Sequence, residues 1–117
     1  MKTSELTGAA LDWAVAKCEG VEIILRQENW DWYSSSWEQG GPIIERERIS
    51  IGFDTWDEVD AALPIWYADN YMKDRTETGP TPLIAAMRCY VASKLGDDVE
   101  VPNELLVKRK KHANERS

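Results

Sequence analysis

The segment 81–95 leaves its backbone less choice than any other part of the chain, because each end carries residues suited to one role. Thr81 offers a hydroxyl oxygen to an unsatisfied N–H of a first helical turn, and Pro82 follows where a missing N–H costs nothing. Gly96 suits the left-handed position just past a last turn. Between them Leu83, Met87, Tyr90, Val91 and Lys94 form one broad face, flanked by Ile84, Ala86 and Leu95. A helix this apolar must be covered, so the rest of the chain has to supply a layer for it.

A second helix is predicted over residues 4–18, with Leu6, Ala10 and Trp13 on one stripe and Leu11, Ala14 and Cys18 on the next. Thr3 or Ser4 can cap it, Gly20 can stop it, and Gly8 inside it costs about 1 kcal/mol relative to Ala. Strands are predicted over residues 21–27, 29–33, 43–53 and 65–68, the third from Ile49, Ile51 and Phe53 at period two. Residues 37–42 read as a loop, because Gly40, Gly41 and Pro42 oppose regular structure. A short helix is expected over 54–63, a connection over 69–78, extended chain over 99–102 and a last helical turn over 102–106. The sum is an α+β fold: a small, mainly antiparallel sheet with two main helices packed on one face. Residues 1–107 form a single domain and residues 108–117 a basic, solvated tail.

Charge divides the chain the same way. Lys108, Arg109, Lys110, Lys111 and Arg116 against Glu115 leave the tail at +4 and residues 1–107 at −11. A body that acidic disfavours double-stranded nucleic acid as a partner. No apolar run approaches the roughly 20 residues a membrane span needs, and the opening residues lack the apolar core of a secretion signal, so the cytoplasm is expected. The single histidine, His112, lies in the tail, and Cys18 and Cys89 fall inside predicted helices. A histidine-based metal site, a Ser-His-Asp triad and a Cys-His dyad are therefore excluded, and no cofactor and no enzymatic activity are expected.

What chemistry the sequence offers lies in two places. Trp37 sits in the segment least suited to a core, beside Gln39 and the paired N–H donors of Gly40 and Gly41. The other is the turn before residue 81, where a helix N-terminus presents N–H groups and the Thr81 hydroxyl, with Arg88 two turns along. Each has a plainer reading: a turn, a well-capped helix, and an arginine paired to a carboxylate of the sheet. The alternating Glu45-Arg46-Glu47-Arg48 reads as cross-strand pairing on a solvent face, and the acids Asp54, Asp57, Glu58 and Asp60 as a helix start.

Two segments carry a resemblance. Residues 33–47 (Tyr33-Ser34-Ser35-Ser36-Trp37-Glu38-Gln39-Gly40-Gly41-Pro42 and onward) and 79–91 (Gly79-Pro80-Thr81-Pro82-Leu83-Ile84 and onward) resemble the NinX-like family of small phage and prophage proteins. Thr3-Ser4-Glu5-Leu6, residues 11–16 and residues 95–102 match as well, so the likeness covers most of the chain outside 54–78 and the tail. The resemblance implies a phage-encoded protein acting in the bacterial cytoplasm. The same two segments hold the two sites above. If they meet, Trp37, Gln39, Gly40, Gly41, Thr81 and Arg88 line one pocket suited to a small nucleotide-like ligand. By analogy with small phage proteins that sequester nucleotide signals of bacterial anti-phage defence, a non-enzymatic binding protein is expected, with a homo-oligomer as the form that places sites between subunits. The alternative is an acidic interaction module whose exposed indoles bind and block a host protein.

Overall fold

The computed structural model describes residues 1–20 and 33–102. After a 3-10 turn, Thr3–Glu5, come α1 (Gly8–Cys18), α2 (Trp37–Glu47), β1 (Ser50–Trp56), β2 (Pro64–Asp69), β3 (Thr76–Gly79) and α3 (Pro82–Leu95). The strands form an antiparallel meander in the order β1-β2-β3. This is the α+β class the sequence implies. The strands expected over 21–27 and 29–33, apart from Tyr33, the helical turn at 102–106 beyond Pro102, and the tail lie outside the described residues.

Helix α3 is the centre of the molecule. Leu83, Ala85, Ala86, Met87, Cys89, Tyr90, Val91 and Ala92 are all buried, so the helix is covered nearly all round. It lies on the sheet, and α1 and α2 pack against it rather than on the strands. Much of the buried surface is small: Ala10, Ala14 and Ala16 on α1 and Ala85, Ala86 and Ala92 on α3 are all buried, with Ala85 close against Gly79 of β3. Its N-terminal end matches the sequence reading: the Thr81 Oγ1 accepts from the Ile84 N–H at 3.0 Å. At the other end Gly96 takes φ +87° and ψ −161°, which is not the left-handed helical position expected of it but a region that glycine alone adopts readily.

Elsewhere local signals were overridden. Residues 4–18 do not form one helix, because the chain is extended at Leu6 and Thr7, and α1 starts only at Gly8, whose φ is +55°. The freedom of glycine thus serves a bend, not a helix interior. Residues 37–42 are not a loop but the first half of α2. Pro42 leaves the Glu38 carbonyl without its helical donor, and both residues are exposed, so solvent can satisfy it. Residues 43–47, expected as strand, continue α2, and Arg48 ends it in the left-handed conformation with φ 55° and ψ 48°. The strand therefore begins at Ser50.

Residues 54–63 are not helical. β1 runs on to Trp56, and the turn after it is tied by its acids. One Asp57 Oδ1 accepts from the Val59 N–H at 2.8 Å and the Asp60 N–H at 3.0 Å, and Asp60 Oδ1 accepts from the Ala62 N–H at 3.0 Å. Short side chains that bond neighbouring N–H groups favour turns over helices. The expected connection at 69–78 also contains β3.

One irregularity governs the hairpin. Phe53 faces Trp66 and Thr55 faces Ile65, so Asp54 is an extra residue in β1, a bulge. Side chains alternate across a strand, so without the bulge Thr55 would share a face with Phe53. With it, Trp56 does. The two rings meet edge to face at 5.2 Å, and Phe53 meets Trp66 in the same manner at 5.5 Å. The opposite sheet face is polar, and there Tyr67 lies across Gly52, where an added Cβ would stand 2.5 Å from its hydroxyl.

Candidate functional site

The two segments singled out by sequence do meet. Gly40 of α2 is buried against the first turn of α3, and a Cβ built on it would lie 2.6 Å from Leu83 Cδ1 and 2.5 Å from the Tyr33 carbonyl oxygen. Only a glycine allows so close an approach. The junction is filled rather than hollow at that point, since Leu83 is itself buried. The donors expected there are engaged within the protein. The Gly40 N–H donates to the Ser36 carbonyl at 2.9 Å, and the Ile84 N–H to Thr81. Gly41 has open space above its Cα, Gln39 is half-buried and Trp37 stays 55% exposed.

Arg88 faces the other way along α3. Its Nε donates to the Leu6 carbonyl at 2.7 Å and its Nη1 to the Thr78 carbonyl at 2.8 Å. The side chain thereby ties the chain before α1 and the end of β3 to the central helix. Its partners are carbonyl oxygens, not the sheet carboxylate expected; Glu77 acts on it only through its charge. Burial pulls the guanidinium below its ordinary pKa and Glu77 opposes that. In turn, burial, with help from Asp97, raises the Glu77 carboxyl.

A polar cluster that sequence reasoning did not foresee joins the C-terminal ends of the helices. Arg46 Nη1 and Nη2 grip both oxygens of Glu19 at 3.0 and 2.6 Å, and its Nε donates to Glu47 at 2.9 Å. Tyr90 donates its hydroxyl to Glu19, and Lys94 stands 3.4 Å from Glu47. The alternating charges at 45–48 thus belong to a helix end, where a cation complements the dipole. Arg46 holds the Glu19 carboxyl below the usual range, with burial opposing. Burial pushes the Tyr90 hydroxyl up, as it does the thiols of Cys18, to about 11, and Cys89, to about 12. Both thiols are protonated at neutral pH and poor nucleophiles. Asp12 is buried and accepts from the Ser34 N–H at 2.8 Å and its hydroxyl at 2.7 Å, and burial raises its carboxyl.

Among the described residues, four exposed apolar side chains lie at the hairpin. Phe53 is 44% exposed, Trp56 53%, Leu63 52% and Val59 97%. Among the described residues no group of three or more His, Cys, Asp or Glu side chains is placed to hold a metal ion, and no helix is long and apolar enough to cross a membrane.

Among the described residues these features define a small α+β domain: a three-stranded meander behind a central helix, with the well-exposed indoles of Trp37 and Trp56 on separate elements. The model of the bacteriophage P22 NinX family matches residues 2–94, from the start of the fold to the end of α3, and the chain belongs to that family. The match spans the hairpin region 54–78 as well. No curated protein matches the chain.

Proposed function

We propose that this phage protein is a non-enzymatic interaction module that engages a host protein through its exposed aromatic side chains. The observation that carries the reading is the placement of Trp37 and Trp56, each more than half exposed, on a body of charge −11 over residues 1–107. Tryptophan is enriched among the residues that anchor a partner's pocket, and Trp56 stands with Phe53, Val59 and Leu63 as further exposed apolar side chains of the same hairpin. A second reading, sequestration of a small nucleotide-like ligand, draws support from the meeting of α2 with α3 at Gly40 and Leu83, beside an exposed indole. The internal engagement of Thr81 and Arg88 weighs against it.

The full chain, immobilised and exposed to nuclease-treated host lysate, is expected to retain a host protein in near-stoichiometric amount. Substituting Trp37 and Trp56 together by serine is expected to abolish that retention. Protein heated after recovery from infected cells separates the readings. A released nucleotide-like metabolite, with no retained protein, overturns the interaction module in favour of sequestration.

A further inference from the structure

Resting on the interaction reading, we infer that the outer half of the β1–β2 hairpin is the docking surface and that its occupant is a protein segment in which lysines or arginines flank an apolar side chain. The face of the sheet that α3 covers at Ala68, 0% exposed, runs out from beneath the helix at Phe53 and Trp56. The rings there are already fixed against one another by the edge-to-face contacts of Phe53 with Trp56 and Trp66, so little side-chain freedom is lost on binding.

Charge names the partner. From Ile49 to Met72 the chain carries Asp54, Asp57, Glu58, Asp60 and Asp69 and neither lysine nor arginine. Asp57 and Asp60 spend oxygens on folding the turn, which fixes its shape, while Asp54 and Glu58 stay exposed at the same end of the hairpin. The same hairpin of a second copy would set acids against acids, and phosphate-bearing polymers or anionic lipid are repelled. A basic protein surface is the complement: its apolar residue meets the rings and its cations meet the carboxylates.

The test uses the isotope-labelled full chain and two synthetic peptides that share an apolar Leu-Phe-Leu centre, one flanked by lysines and one by glutamates. Amide shift mapping is expected to place the lysine peptide on Phe53, Trp56, Val59 and Leu63, and to show no binding of the glutamate peptide. Raising salt from about 0.05 to about 0.3 M is expected to weaken binding roughly fivefold or more. Trp56→Ser is expected to weaken it about tenfold. A double substitution, Asp54→Lys with Glu58→Lys, touches no internal hydrogen bond described above and is expected to reverse the preference between peptides. Equal binding of both peptides, absence of binding, or shifts centred on α2 would overturn the hairpin assignment. The host-protein retention experiment is independent of these peptides, so the interaction reading survives or fails on its own result.

Discussion

The adjacent glycines of α2 should respond to alanine with opposite sign. In an ordinary helix interior, Gly→Ala gains about 1 kcal/mol. At Gly41 a Cβ meets nothing within 4 Å beyond its own helix and chain neighbours, but the ring of Pro42 crowds the Cβ of a helical residue before it, so Gly41→Ala should realise only part of that gain. At Gly40 the same atom would stand 2.6 Å from Leu83 Cδ1 and 2.5 Å from the Tyr33 carbonyl oxygen. Carbon atoms rest at about 3.5–4.0 Å, so the leucine methyl must move by about 1 Å, and the carbonyl belongs to the backbone. Overpacking of this kind costs about 1–3 kcal/mol, and with two contacts to relieve the upper part of that range applies. Set against the propensity gain, Gly40→Ala should lose about 1–2 kcal/mol, leaving the two variants about 1–3 kcal/mol apart. Each kcal/mol moves Tm by roughly 4–8 °C in a domain near this size, so the melting points should differ by about 5–20 °C. Urea and thermal unfolding followed by far-UV circular dichroism measure both. If Gly40→Ala melts as high as Gly41→Ala, α2 does not rest on α3 through this glycine, and the filled junction argued from it is wrong.

Three further outcomes are expected. Glu19→Gln should lower stability by about 1 kcal/mol at pH 7, a modest figure because Arg46 is half exposed. The Glu19 carboxyl is held below its ordinary 4.5 in the folded state, so its contribution is present above pH 4.5 and lost as pH falls through the lower folded value. Urea midpoints of wild type and variant should therefore converge on acidification. Thr81→Ala removes the cap of α3 and should cost about 1 kcal/mol, read as a fall in Tm. Arg88→Met strands two carbonyls, and a loss of about 1–3 kcal/mol is expected in denaturant titration. Arg88→Lys should recover little of it, since one ammonium replaces a rigid fork that spans Leu6 and Thr78.

Where local chemistry and tertiary demand agree, residues announced their structure. Thr81, Pro82 and Gly96 mark α3 because each satisfies a backbone need that packing does not alter. Ile49, Ile51 and Phe53 announced β1 for a similar reason. The reading failed where packing overruled composition. Gly40, Gly41 and Pro42 look like a loop, yet the glycine that weakens a free helix is the one that lets α2 reach α3. Trp37, Gly40 and Ile44 lie at helical spacing behind Ser36, and counting glycine as a contact residue would have exposed that face. Asp57 and Asp60 misled because an aspartate serves a turn as readily as a helix start. Of the proposed site, the two segments were legible, but their meeting stood only as a condition, because nothing in residues 37–42 announces the helix that packs on α3. The internal use of Arg88 was not, because carbonyl partners at Leu6 and Thr78 leave no trace in residue type.

The bulge at Asp54 makes the aromatic surface a matter of parity rather than identity. Changing the aspartate to another residue keeps the count, and the indole stays beside its phenyl neighbour. Removing the residue closes the bulge and leaves Trp56 two steps after Phe53, so the indole still stands on the same side of the ribbon. Keeping the residue but pairing it regularly would turn Trp56 to the far side, and aligned letters alone would hide the change.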